Sequence, residues 1–250
     1  MLELYKSLFA RSKLSTLLLT STFIITLLAI VPAFYVIIVL NKFLTSGVTA
    51  TLISLTVGTV VSVLFEFALR QNRSKMVTAW LHRESDELIA KLKTKMVGLK
   101  LEAPQYNEIV NAVKMIDGTN RNTSASYGLD WPFQLLILIV VYKISWTTGI
   151  VVSIFAVIMY MLAEYKQVFR FEENTNYNVD LMLNSLVTVC IIGVGVTQVI
   201  TGELSTGALI GSNILGSRFV QSANKFFKSK LIIAGRYESI KKLDKFVNGK

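Results

Sequence analysis

The sequence predicts an all-α, polytopic bundle of six transmembrane helices. Three observations carry that expectation: six apolar stretches, four of them joined in two tight hairpins, and basic residues gathered almost wholly on one side of the pattern. Of 250 residues, 52% are hydrophobic and only 17% charged, and the mean hydropathy is positive, a balance uncommon in soluble domains.

The apolar stretches cover residues 14–40, 50–69, 132–142, 149–162, 181–200 and 208–227. A helix needs about 20 apolar residues to cross about 30 Å of hydrocarbon, so the third and fourth stretches are short. They fit a hairpin because Trp131 and Trp146 stand at positions for interfacial aromatics, while Tyr127 and Tyr165 can extend both helices into the headgroup layer. The first stretch is too long for a signal-peptide core and lacks a small-residue cleavage pattern.

Orientation follows from charge. The connections 41–49, 143–148 and 201–206 hold only Lys42 and Lys143 of the 26 Lys and Arg, so the opposite face is expected to be cytoplasmic: the N-terminus, residues 71–130, residues 163–179 and the C-terminus. Topology accounts for the net charge of +10. A nucleic-acid interface would instead interleave basic and exposed aromatic residues on one folded surface, so no nucleic-acid partner is expected.

The domain organisation expected is one membrane domain, 14–227, with a cytoplasmic extension at 71–130, an N-terminal elbow at 1–13 and a basic C-terminal helix at 228–250. Within 1–13, Leu4, Leu8 and Phe9 alternate with Lys6, Arg11 and Lys13, which suits either an amphipathic surface helix or a frayed terminus. Met76, Trp80, Leu88, Leu92 and Met96 recur at helical spacing, so the second span is expected to continue as a helix to about Gly98. Glu102-Ala103-Pro104 breaks the pattern, residues 105–115 suit a short helix, and 118–128, rich in Asn, Thr and Ser, suits a turn or loop before the third span. Phe219, Phe226, Ile233, Ile240 and Val247 stand at seven-residue steps, so the last helix should project beyond its span and bury that stripe against a partner.

Catalytic chemistry is not expected. His82 is the only histidine and Cys190 the only cysteine, which excludes a zinc cluster, a Cys/His pair and an intrachain disulfide. Cys190 suits packing in a span. Gly211 to Arg218 superficially resembles a phosphate loop but lacks its Lys and the following hydroxyl residue, and it lies in an apolar helix whose N–H groups are committed to helix bonds. Neither cofactor nor metal is expected.

Two sets of candidates remain. Gly207 and Gly211 form a G-x-x-x-G, and Ser212 and Gly216 extend a small-residue face that admits close approach of another helix. Charged or amide side chains within spans form the second set, because burying an unpaired charge in hydrocarbon costs at least about 2.5–3.5 kcal/mol. Glu66 and Arg218 stand out. Either Glu66 pairs locally with Arg70 and Arg218 snorkels, or Glu66, Asn184, Gln198, Asn213 and Arg218 line an interhelical cavity with the two asparagines as hydrogen-bonding contacts.

The stretch Gly202-Glu203-Leu204-Ser205-Thr206-Gly207-Ala208-Leu209-Ile210-Gly211, continuing to Arg218, resembles the turn joining the fifth and sixth helices in the transmembrane domain of ABC exporters, especially the bacterial type I protein-secretion branch. Further matches are Pro32, the turn Asn41-Lys42-Phe43-Leu44-Thr45-Ser46-Gly47, Phe65-Glu66-Phe67-Ala68-Leu69-Arg70, Leu129-Asp130-Trp131-Pro132-Phe133 and the closing Arg236–Val247 segment, with Leu243-Asp244-Lys245-Phe246, which resembles the helix leading such domains into their ATPase. The resemblance runs through almost the whole chain in the family's order. It implies a bacterial inner-membrane protein with both termini cytoplasmic, membrane lipid around it, pairing with a copy of itself or another membrane subunit, and a role in transport.

Two departures modify that expectation. The sequence has no phosphate loop, signature sequence or catalytic carboxylate motif, so it holds no ATPase of its own. In the family a long cytoplasmic connection between the fourth and fifth helices carries a coupling helix to the ATPase. Here 163–179 offers about 17 residues, about 25 Å even if wholly helical, and it must turn back. Ser222 also stands where the family tends to place Pro after the Arg. The expectation is therefore a non-ATPase structural or accessory subunit, with a transport half that recruits a separate ABC ATPase to export a peptide or protein as the alternative.

Overall fold

The computed structural model describes residues 12–43, 49–96, 103–121, 124–169 and 173–248; all but the last two residues of the elbow expected at 1–13 lie outside them. Among the described residues the chain is all-α: α1 Ser12–Ile38, α2 Thr49–Met96, α3 Ala103–Arg121, α4 Ser124–Ile144, α5 Trp146–Phe169, α6 Glu173–Ile200 and α7 Thr206–Asn248. A π-helical turn, Val39–Phe43, continues α1. Pro104 occupies the first turn of α3, where its missing N–H costs no helix bond.

The chain divides into two compact units. One comprises Met1–Leu19, Gln71–Leu129 and Lys228–Lys250; the other comprises Thr20–Arg70 and Asp130–Phe227.

In the second unit α6 presents Leu183, Val187 and Ile191 at four-residue steps, one stripe of a helix, to Val152, Phe155 and Met159 of α5 and to Leu215 and Phe219 of α7. Trp131 stacks on Phe226 at 4.6 Å between near-parallel rings and also meets Phe219 and Phe227. Its surroundings are aromatic packing in the bundle, whereas Trp146 is 69% exposed.

The outer surface of this unit is apolar. Val57, Val61, Leu64, Phe65 and Phe67 of α2 stand exposed, as do Val157 and Met161 of α5 and Val189 of α6. Such continuous apolar cover suits lipid and not water. By helix length and hydropathy the chain is a polytopic membrane protein: Ser15–Lys42, Thr51–Met96, Ser124–Ile144, Trp146–Tyr165 and Asn178–Ile200 are each long and apolar enough to cross a membrane. The sixth expected span is absent from that set. Helix α7 carries Ser212, Asn213, Ser217, Arg218 and Gln221 and buries Gly211, Ser212, Leu215, Phe219 and Val220, so it is a polar-studded interior helix rather than a lipid-facing one.

In the other unit, the seven-residue stripe of α7 has its partner within the chain. Ile233 packs with Val77, Trp80 and Leu81 of α2, and Leu243 packs with Leu92 of α2 and Ile109, Ala112 and Ile116 of α3. The described residues of 118–128 are helical where a turn or loop was expected. Helix α3 runs on through Gly118 to Arg121 and α4 begins at Ser124, because Thr119 and Asn120 are buried and Asn120 is engaged by side chains of two other helices.

Candidate functional site

The polar interior of the second unit centres on Glu66, which is 5% exposed on α2. Arg70, one turn on, donates from Nε and Nη2 to Oε1 at 2.9 and 2.8 Å. Arg218 of α7 brings Nη2 to 3.8 Å from Oε2 and donates from Nη1 to the Ala29 carbonyl of α1. The local Glu66–Arg70 pair expected from the four-residue spacing forms, and Arg218 turns to the same carboxylate.

Asn184 and Asn213 belong to a different polar stripe. Thr188, one turn after Asn184, approaches Ser217, one turn after Asn213, at 3.4 Å between hydroxyls. The Oδ1 atoms of both asparagines are buried without a hydrogen-bond partner among the described residues. Such oxygens retain the capacity to accept a bond.

Gln198 lies apart from both groups, at the end of α6. Its Oε1 accepts from the hydroxyls of Ser145 and Thr147, each at 2.8 Å, tying the α4–α5 turn to the α6–α7 turn. Ser145 is also the N-cap of α5, its hydroxyl accepting from the Thr148 N–H at 3.2 Å. The Gln198 carbonyl accepts from the N–H groups of Glu203 and Leu204, and Gly202 adopts φ 78°, the left-handed conformation that closes such a helix end. Of the five polar candidates, Glu66 and Arg218 meet one another, whereas Gln198 bonds to Ser145 and Thr147.

The small-residue face of α7 is filled from inside the chain. A Cβ at Gly207 would stand 2.8 Å from the Ile37 carbonyl and 2.5 Å from Asn41 Oδ1; one at Gly211 would strike the Ile37 side chain; one at Gly216 would meet Val152 and Ile191 at 2.7 and 2.8 Å. Asn41 Oδ1 accepts from the Gly207 N–H, and its Nδ2 donates to Ser205. Ser212 is fully buried and donates back to the Leu209 carbonyl. Close approach by another helix, expected from the spacing, is made here by α1, α5 and α6.

In the other unit the most buried charge is one the sequence reading did not single out. Arg236 has no solvent exposure. Its Nε donates to Asn120 Oδ1 of α3 at 2.9 Å, and its Nη2 pairs with Glu84 Oε2 at 2.9 Å and donates to the Leu81 carbonyl at 3.2 Å. Asn120 Nδ2 donates in turn to Ser85 Oγ at 2.8 Å. The available signal was positional: Arg236 lies three residues after Ile233 and four before Ile240, inside the apolar stripe. An arginine there must bury or break the stripe.

Chemically, these arrangements hold and orient; no nucleophile–base pair occurs in them. Among the described residues no three His, Cys, Asp or Glu side chains gather as metal ligands. The fold and these sites define a polytopic all-α membrane protein. No protein-family model matches the chain, and a comparison with curated proteins likewise finds no match.

Proposed function

We propose that the chain is a structural or accessory subunit of a larger membrane assembly, built on a bundle of six crossings like that of an ABC exporter but without ATP-driven coupling. The observation that supports this reading most is the unequal reach of the helices. At 1.5 Å per residue α2 and α7 are about 72 and 65 Å long, whereas α5 and α6 are about 36 and 42 Å, little more than about 30 Å of hydrocarbon. A lever between α5 and α6 has no length with which to meet an ATPase. In this reading α7 is the sixth crossing, shielded from lipid by its neighbours, and the ends of α2 and α7 with α3 lie in the cytoplasm.

Gentle solubilisation followed by co-purification and mass spectrometry tests the proposal. A membrane assembly without an ABC ATPase is expected; a stoichiometric ABC ATPase overturns it.

A second reading is favoured by the Arg236 cluster. Helices α2, α3 and α7 are joined there by bonds of Arg236 and Asn120, which suits a transport half that recruits a separately encoded ATPase through that unit. Substrate-stimulated ATP hydrolysis by the reconstituted pair would establish it.

A further inference from the structure

The Glu66 cluster carries more positive than negative charge. Arg70 and Arg218 both turn to one buried carboxylate, and one carboxylate leaves a net charge of +1. The two guanidiniums together offer ten N–H donors, of which Glu66 and the Ala29 carbonyl use a minority, and no other acceptor among the described residues reaches either. Neither arginine is sealed in. Their side chains are 37% and 38% exposed, while Glu66 beneath them is nearly closed off.

What surrounds them is not a water-facing surface. Phe65 and Phe67 flank Glu66 on α2, both exposed and apolar, and Phe67 lies one turn before Arg70. Arg70 ends the apolar run of α2, the depth at which a membrane-spanning helix meets the headgroup layer. A guanidinium at that depth finds its anion in the lipid phosphates, and each guanidinium offers a planar fork of donors suited to a phosphate oxygen pair.

We propose that Arg70 and Arg218 form a binding site for the headgroup phosphate of an anionic phospholipid, with its acyl chains lying against Phe65 and Phe67. Glu66 is the built-in competitor: it holds both arginines in place and limits how strongly they bind the phosphate. The site rests on the chain spanning a membrane, not on the accessory role, and holds whether or not an ATPase partner exists.

The test is native mass spectrometry of the full chain released from nanodiscs of equimolar phosphatidylglycerol and phosphatidylcholine. The wild type is expected to retain phosphatidylglycerol preferentially. Arg70→Gln and Arg218→Gln should each lower that retention by about tenfold, the loss of one charge-assisted hydrogen-bonding group. Glu66→Gln, which removes the competitor and keeps the shape, should raise it. A purely structural salt-bridge cluster predicts the opposite, with Glu66→Gln losing lipid alongside the arginine variants. Equal retention of the two lipids, a fall in Glu66→Gln with helix content unchanged by circular dichroism, or displacement of the lipid by inorganic phosphate would each overturn the proposal, the last by making it a soluble-anion site. Should Arg218→Gln fail to fold, Arg70→Gln and Glu66→Gln still decide the matter, because their expected shifts have opposite sign.

Discussion

Arg236 of α7 donates to Asn120 Oδ1 of α3 at 2.9 Å while holding Glu84 of α2, so one fully buried guanidinium joins three helices of its unit. Removing one member of such a cluster strands the others, which is costlier than never having buried them.

Arg236→Met is accordingly expected to destabilise its unit by about 3–5 kcal/mol, leaving Glu84 and Asn120 without their partner. Arg236→Lys should recover little, since an ammonium cannot reproduce the fork that serves Asn120, Glu84 and the Leu81 carbonyl together. Denaturant titration followed by circular dichroism, with protease susceptibility of residues 71–129, checks both.

Helical glycines should separate by what faces them. Gly207→Ala drives a methyl onto the Ile37 backbone carbonyl, which cannot rotate away, and should cost about 1–3 kcal/mol. Gly118→Ala on α3 meets open space and should stabilise by up to about 1 kcal/mol through helix propensity. Paired thermal melts in one detergent read the difference directly. Gly211→Leu should lower the melting temperature of the isolated chain itself, because the face it blocks is already used by Ile37.

Gln198→Leu removes the acceptor that joins Ser145 and Thr147, and should cost about 1–3 kcal/mol by leaving these hydroxyls without it. Gln198→Glu keeps the acceptor and should cost less. Comparative melting of the two variants distinguishes loss of the bond from a general intolerance of substitution.

Much of the membrane part was legible because hydrocarbon demands long apolar helices, and five such helices are present where stretches were read. Glu66–Arg70 was legible from its four-residue spacing. Helix α7 was not wholly legible. Its apolar positions and its polar ones, Asn213, Ser217 and Arg218, are both accommodated once neighbouring helices enclose it, and hydropathy averages the two away. Residues 118–128 misled for a related reason: Asn, Thr and Ser signal a loop by local preference, yet Asn120 finds Ser85 and Arg236, and those bonds override the preference. No local rule could foresee that Gln198 would be claimed by the α4–α5 turn. That contact joins residues more than fifty positions apart, and only the packed bundle determines it.

We propose a topology in which the α6–α7 turn lies on one face of the membrane and the α2–α3 region on the other. Cys190, the sole native thiol, is half-buried and replaceable by serine, so single cysteines at exposed Glu203 and exposed Glu87 can be read without background. In intact cells a membrane-impermeant maleimide is predicted to label Glu203→Cys at once and Glu87→Cys only after permeabilisation. Equal labelling of both from outside, or of neither until the membrane is opened, would contradict it.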